Sequence, residues 1–205
     1  MIKTNIKLII FDLSDVCFNS EEPLYLKIFA ERHKINLSIL EKFYLELLIK
    51  AEEDKISGKE IWQKVFLKFN IKNETFEKVL KEMMTLKEEN PETMDLIKKL
   101  RKKGYKITYL TNYNKDYWEA IKQKFDLNPY FDYGLVSYQI KARKPSPIGF
   151  KKLMDYFAVK PAETIFTDDS MKNLLEAEKL GINTIHFQHV DLFADLLEDF
   201  GINLE

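Results

Sequence analysis

The chain has 205 residues, 45% of them hydrophobic and 32% charged, a globular balance that suits one α/β domain or one domain carrying a smaller insertion. Its 32 Lys and Arg nearly cancel 33 Asp and Glu, leaving a net charge of −1; no basic excess advertises nucleic acid and no acidic tail advertises disorder. The single cysteine, Cys17, excludes a disulfide framework and a cysteine-rich zinc site.

The first element is Lys7-Leu8-Ile9-Ile10-Phe11-Asp12. This apolar run has no helical period and ends in a carboxylate, so it reads as a strand buried on both faces. It is far too short to span a bilayer, and the N-terminus lacks a signal-peptide pattern; a soluble, cytoplasmic protein is expected. Cys17, just beyond, reads as a small buried hydrophobe.

The next segment changes character. Leu24, Ile28, Ala30 and Ile35 predict one helix. Leu40, Phe43, Tyr44, Leu47 and Leu48 recur at three- and four-residue steps and predict a second. Ser57 with Glu60 forms a capping box ahead of Ile61, Val65 and Phe69. Thr75 opens a fourth helix with Val79, Leu80 and Met83. The block resembles a small helical bundle.

From Pro91 the pattern alternates. A helix with Met94, Ile97 and Leu100 ends at Lys102-Lys103-Gly104, basic residues followed by glycine. Tyr105 to Thr111 is rich in β-formers and predicts a strand. A helix carries Tyr117, Trp118, Ile121 and Phe125, and Tyr133 to Tyr138 is a weaker strand. Pro147 to Phe157 is helical, and Thr164 to Asp168 is a strand ending in acid. Leu174 to Leu180 is a helix closed by Gly181. Thr184 to Phe187 and Val190 to Phe200 supply a last strand and helix.

Such alternation implies right-handed βαβ units and a parallel sheet. The expected fold is α/β: a three-layer, Rossmann-like core formed by residues 1–19 and 91–205, with a small α-helical cap domain over 20–90, inserted after strand one.

Ligands of open parallel sheets bind beyond the carboxyl ends of the strands. Strand one delivers Asp12 there. The strand at 105–111 delivers Thr111 and Asn112, the strand at 164–168 delivers Asp168 and Asp169, and the loop after the weak strand delivers Lys144. Each alone reads as a cap or turn residue. Together they form a set for a hard cation and a phosphate: oxygen ligands suit magnesium, and a lysine suits a phosphate oxygen.

In motif order and spacing, the chain resembles the haloacid dehalogenase-like superfamily, in the subgroup with a helical cap after strand one. The motifs stand here as Ile9-Ile10-Phe11-Asp12-Leu13-Ser14-Asp15-Val16, Tyr109-Leu110-Thr111-Asn112, Arg143-Lys144-Pro145 and Phe166-Thr167-Asp168-Asp169, with Asn173 four residues on. The resemblance implies a phosphohydrolase acting on a small phosphorylated metabolite. Asp12 would attack phosphorus and form an aspartyl-phosphate that water hydrolyses. Mg²⁺ would be held by Asp12, Asp168, Asp169 and the Ser14 backbone carbonyl. Thr111 would donate to a phosphate oxygen, Lys144 would pair with nucleophile and phosphate, and Asn112 would position substrate or loop. No nucleic-acid or membrane partner is expected, and the assembly is a monomer or homodimer.

One departure matters. Family phosphatases usually carry a second Asp, an acid/base, two residues after the nucleophile; here Ser14 stands there. Asp15 follows, but a one-residue shift along an extended segment points elsewhere, and Asp15 reads as a turn residue. Without the acid, leaving groups that are already weak bases, as in anomeric, aryl or acyl phosphates, should be favoured. Two rivals remain open: metal-independent C–halogen hydrolysis by the same nucleophile, and a non-catalytic binding or regulatory protein on the same scaffold. His33, His186 and His189 form no metal spacing and read as satisfied or exposed. Trp62 and Trp118 read as packing residues. Tyr25, Arg32, Tyr44 and Lys50 are candidates to face substrate from the cap.

Overall fold

A computed structural model describes residues 5–204; residues 1–4 and 205, the outermost positions of the expected core segments and the start of the leader reading, lie outside it. Five parallel strands form one sheet: β1 (Leu8–Phe11), β2 (Lys106–Thr111), β3 (Tyr133–Val136), β4 (Thr164–Asp168) and β5 (Asn183–His186), in the order β3-β2-β1-β4-β5. Strand β1 is central because it is apolar throughout. Leu8, Ile9, Ile10 and Phe11 are all fully buried, as a strand covered on both faces requires. The pleat sorts them: Ile9 and Phe11 join one apolar cluster, Leu8 and Ile10 the other.

Helices cover both faces. Helices α5 (Pro91–Lys102) and α10 (Val190–Glu198) pack on one side; α8 (Pro147–Phe157) and α9 (Met171–Glu178) pack on the other, against β2, β3, β4 and β5. Between β1 and α5 run α1 (Glu21–His33), α2 (Leu37–Glu52), α3 (Gly58–Lys68) and α4 (Phe76–Leu86). They pack on one another, and α3 and α4 also contact α6 (Lys115–Lys124). Their apolar stripes, with Phe29, Tyr44, Trp62, Val65 and Met83, belong to the same buried cluster as Ile9 and Phe11.

The local signals act as read. Ser57 Oγ accepts from the Glu60 N–H at 3.1 Å, and the Glu60 carboxylate accepts from the Ser57 N–H at 2.8 Å, closing the capping box of α3. Thr75, Asn90 and Asn114 cap α4, α5 and α6 in the same manner, each contributing about 1 kcal/mol by the usual measure of an N-cap. Gly104 and Gly181 take φ of +93° and +81° just past α5 and α9, where a side chain would be strained.

One expectation is corrected. The strand at 133–138 stops at Val136, and Ser137–Ile140 form a short helix, α7. Polar contacts divert the chain. Gln139 Oε1 accepts from the Val136 N–H at 3.2 Å, and Ser137 Oγ exchanges hydrogen bonds with the Tyr113 backbone, so these groups have partners outside a strand ladder. Among the described residues no helix is long and apolar enough to cross a membrane.

Candidate active site

The register sets the site. Phe11 lies opposite Tyr109 of β2 and Thr167 of β4, and the Asp12 N–H donates to the Thr167 carbonyl at 2.9 Å. Asp12 therefore leaves the sheet beside Asp168, the last residue of β4, and next to the end of β2 at Thr111. One ligand oxygen from each of Asp12, Asp168 and Asp169 falls within 4.8 Å of the others.

Lys144 enters from the loop after α7. Its Nζ lies 2.8 Å from Asp12 Oδ1 and 2.5 Å from Asp168 Oδ2. Asn112 holds that loop: its Oδ1 accepts from the Lys144 N–H at 2.8 Å, and its Nδ2 donates to the Lys144 carbonyl at 3.3 Å. The Asn112 side chain is thereby committed to the loop. Asp168 is fixed by the Ser170 N–H at 2.8 Å and by Asn173 Nδ2 at 3.0 and 3.1 Å. His186 Nε2 meets the Asp169 carbonyl at 2.9 Å, steadying the exposed member of the trio.

The electrostatics follow from burial. Asp12 is 7% exposed and Lys144 4%. Burial pushes the Asp12 carboxyl up to about 6; Lys144 opposes the shift and the Asp168 charge adds to it. Burial works to lower Lys144, but Asp12 and Asp168 outweigh it, and its ammonium is held above the ordinary lysine range. Asp169 is raised by burial and then by Asp168 and Asp15. Asp12 Oδ1 takes donors from the Leu13 N–H at 2.6 Å and from Lys144, while Oδ2 has no protein donor among the described residues.

The set fits a divalent cation. Three clustered carboxylates face one ammonium, and the excess negative charge is drawn from hard oxygen donors of the kind magnesium takes. The Thr111 hydroxyl is buried at the same edge and has no hydrogen-bond partner among the described residues, an orphan of the sort a bound oxyanion satisfies.

Position 14 differs from a carboxylate site in a specific way. Ser14 Oγ lies 2.6 Å from the Tyr113 hydroxyl. Tyr113 sits beside Lys87, whose Nζ is 5.4 Å from its ring centroid. Lys87 in turn donates to Glu21 Oε2 at 2.5 Å and to the Asn19 carbonyl at 3.0 Å. Burial pushes the Tyr113 hydroxyl up to about 12 despite Lys87, and either hydroxyl of the Ser14–Tyr113 pair can donate to the other. Asp15 takes φ of +56° and turns its carboxylate onto the Ser20 N–H and hydroxyl at 2.9 and 2.6 Å, as its reading as a turn residue expects.

The helical block reaches the site through α2. Arg143 Nε donates to Glu52 Oε2 at 2.6 Å, one residue from Lys144. Burial raises the Glu52 carboxyl against the opposing pull of Arg143. Glu22, at the start of α1, is pushed up to about 7 by burial and by Glu21, with the Tyr44 hydroxyl donating to it at 2.9 Å. Of the proposed substrate-facing residues, Tyr25 and Arg32 instead meet Glu82 inside the block at 2.9 and 2.8 Å. Tyr44 is buried and also meets the Tyr117 hydroxyl at 3.1 Å, which accepts from Trp62 Nε1 at 2.6 Å. Lys50 is exposed and borders a groove with Phe43 and Leu47. His33 pairs with Glu74 at 3.1 Å, and His189 caps α10. Cys17 is buried, with its thiol raised by burial and then by Asp12.

Tyr113, Lys87, Glu21, Glu52 and Arg143 are therefore additions to the set read from the sequence. Only Tyr113 and Arg143 carried a signal, as neighbours of Asn112 and Lys144.

Residues 6–181 match the model of the haloacid dehalogenase-like hydrolases. Among curated relatives, the chain is 29% identical over 110 residues to flavin mononucleotide hydrolase 1 of Arabidopsis thaliana, covering 54% of this chain and 44% of that one. It is 24% identical over 192 residues to a phosphorylated carbohydrates phosphatase of Thermotoga maritima, covering 87% and 83%. The match spans less than half the length of the Arabidopsis relative and 42% of the glyceraldehyde 3-phosphate phosphatase of Pyrococcus furiosus. Among solved structures, a HAD family enzyme of Bacteroides thetaiotaomicron, in complex with magnesium and inorganic phosphate, superposes with a TM-score of 0.74. It is 26% identical, and the match covers 92% of this chain and 99% of that one.

Proposed function

The chain belongs to the haloacid dehalogenase-like hydrolases, and on that premise we propose that it is a magnesium-dependent phosphatase of small phosphorylated metabolites. In this reading residues 20–90 are a helical cap after strand one, over a core of 1–19 and 91–205, and the protein works in the cytoplasm as a monomer or homodimer. The observation that carries it is the meeting of Asp12, Asp168, Asp169 and Lys144 beside the orphaned Thr111 hydroxyl.

Asp12, Asp168, Asp169 and the Ser14 carbonyl would hold Mg²⁺, which when bound supplies positive charge against the phosphoryl oxygens. The residues do the rest. Lys144 fixes Asp12 Oδ1 and leaves Oδ2 free to attack phosphorus. The P–O bond to the leaving group breaks as the aspartyl-phosphate forms. Thr111 donates its hydroxyl to a phosphoryl oxygen, and Asn112 keeps Lys144 in place. Water then opens the acyl phosphate, releasing inorganic phosphate and restoring Asp12. Asp12, Thr111, Lys144 and Asp168 are buried, which strengthens the interactions they make.

The test is turnover of p-nitrophenyl phosphate with and without magnesium, followed by a panel of phosphometabolites. Magnesium-dependent release of phosphate is expected. Halide release from 2-haloacids without metal would sink the reading.

Proton competition gives a second check. Asp12 binds its proton more tightly in the folded protein than in the unfolded chain. Its contribution to metal-free stability is thus present at low pH and is lost as pH rises through about 6. Cation binding needs the carboxylates ionised. The upward shift in Tm caused by magnesium should be large at a pH well above 6 and small well below it. A shift of equal size on both sides would contradict this.

Leaving-group preference is the third. General acid catalysis typically supplies about 10²- to 10⁴-fold, and Ser14 cannot supply it as a carboxylic acid. Aryl phosphates should be turned over well and simple alkyl phosphates poorly. Ser14→Asp should raise alkyl phosphate turnover by about 10-fold or more, within the range such an acid provides. No rise, in a variant that still hydrolyses p-nitrophenyl phosphate, would show that position 14 does not face the leaving group.

A further inference from the structure

The loop that carries Lys144 is held from two sides. From the sheet, Asn112 engages its backbone: Oδ1 accepts from the Lys144 N–H at 2.8 Å, and Nδ2 donates to the Lys144 carbonyl at 3.3 Å. From the helical block, the last turn of α2 reaches the same loop. Glu52 Oε2 accepts from Arg143 Nε at 2.6 Å across 91 positions of sequence. Two residues on, an Asp54 oxygen lies 3.7 Å from Lys141 Nζ. Both contacts join the end of α2 to the segment between α7 and Lys144, and the chemistry described above uses neither.

The two contacts differ in weight. The Lys141 and Asp54 side chains are 73% and 44% exposed, and ion pairs of that kind contribute little. Glu52 is 5% exposed. A carboxylate so placed is costly unless it is paired and hydrogen-bonded, so its bond to Arg143 is strongly held. Burial raises the Glu52 carboxyl, and the charge of Arg143, then that of Lys144, works against the rise. Glu52 therefore feels both residues of the dipeptide. A lysine is a point charge on a flexible stem, and where its ammonium rests depends on how firmly its backbone is fixed. Lys144 Nζ has to meet Asp12 Oδ1 at 2.8 Å and Asp168 Oδ2 at 2.5 Å together, and a misplacement of about 1 Å at a reacting centre can cost about 10²-fold in rate.

We propose that Glu52, acting through Arg143, is a positioning residue for Lys144, so that the helical block completes a site whose reacting groups all stand on the sheet edge. Asn112 fixes the loop from below and Glu52 fixes it from α2. Neither Glu52 nor Arg143 bonds the phosphoryl group or exchanges a proton in this role. The inference deepens the phosphatase reading and rests on it.

The experiment measures kcat and KM for p-nitrophenyl phosphate with magnesium, and the Tm with and without magnesium, in wild type, Glu52→Ala, Arg143→Ala, the double variant and Asp54→Asn. A hydrogen bond to a charged group corresponds to about 10-fold in rate. Each single variant of the buried pair should lose about that factor in kcat, with KM within about twofold. Because Glu52 acts through Arg143, the double variant should lose no more than Arg143→Ala alone. Asp54→Asn should stay within about twofold of wild type. A loosened Lys144 neutralises Asp12 and Asp168 less well, so magnesium should raise the Tm of Glu52→Ala by more than it raises that of wild type, a readout that does not pass through turnover.

A kcat of Glu52→Ala within twofold of wild type, additive losses in the double variant, a loss confined to KM, or an equal magnesium shift in Glu52→Ala and wild type would overturn the proposal. So would an Asp54→Asn variant as impaired as Glu52→Ala, since the effect would then belong to the docking of α2 as a whole. The Arg143 side chain is 28% exposed, so Glu52→Ala leaves a guanidinium that water can reach, and this variant decides the matter if Arg143→Ala does not fold. An active wild type with an unimpaired Glu52→Ala would sink this inference and leave the phosphatase reading standing. A wild type inert toward p-nitrophenyl phosphate and unmoved by magnesium would remove both.

Discussion

Asp12→Asn is expected to abolish phosphate release, by about 10⁴-fold or more, which corresponds to at least ~5.5 kcal/mol of barrier. The substitution preserves size and removes the attacking oxygen's charge. It also takes one of the two buried carboxylates out of a cluster of three. Since burial already pushes Asp12 up to about 6, the ionised side chain is a burden on the fold at neutral pH, so the metal-free variant should melt no lower than wild type. A dead enzyme with an undiminished Tm is the signature of a residue kept for chemistry. Turnover comparable to wild type would exclude Asp12 as nucleophile. Phosphorylation of Asp12 in wild type without subsequent release would point instead to a binding or regulatory role.

Lys144→Met is expected to give the opposite pattern in stability and a similar one in activity. The ammonium holds Asp12 Oδ1 and Asp168 Oδ2 together. Without it, two buried carboxylates face each other uncompensated. Breaking a buried pair by removing one partner costs roughly 3–5 kcal/mol, which for a chain of this size lowers Tm by about 10 °C. Magnesium replaces part of the missing charge, so its stabilising effect should be larger in the variant than in wild type. Activity should still fall by about 10²- to 10³-fold, as when one preorganised donor is removed from an active site. If magnesium stabilised both proteins equally, the lysine and the cation would not share the same carboxylates.

The core strands were legible because burial on both faces leaves no polar positions to confuse the pattern. Leu8–Phe11 and Thr164–Asp168 are runs of this kind. Asp12, Thr111 and Asp168 could be found because a parallel sheet brings strand ends to one edge whatever lies between them. The limit of β3 was hidden: Ser137 and Tyr138 look like strand residues, and only the distant Tyr113 backbone and the Gln139 side chain show why the chain turns. Lys87 and Glu21 were hidden for the same reason. Each alone is an ordinary charged helix-end residue, and their union depends on how α4 returns to the start of α1. Tyr25 and Tyr44 were candidates to face substrate from the cap, yet Glu82 engages the first and Glu22 and Tyr117 the second. Helical spacing tells which residues share a side, and says nothing of what that side meets.

The central place of β1 also constrains how the molecule comes into being. Leu8 pairs with Lys106 on one flank and with Thr164 on the other, so neither neighbour exists when β1 emerges from the ribosome. Contacts of such long sequence separation slow folding. Until synthesis has passed β2 the most apolar strand carries two open edges, and until it has passed β4 it still carries one, a state prone to association with other chains. The nascent protein should depend on chaperones until late in translation, and a fragment ending before Thr164 should accumulate as aggregate.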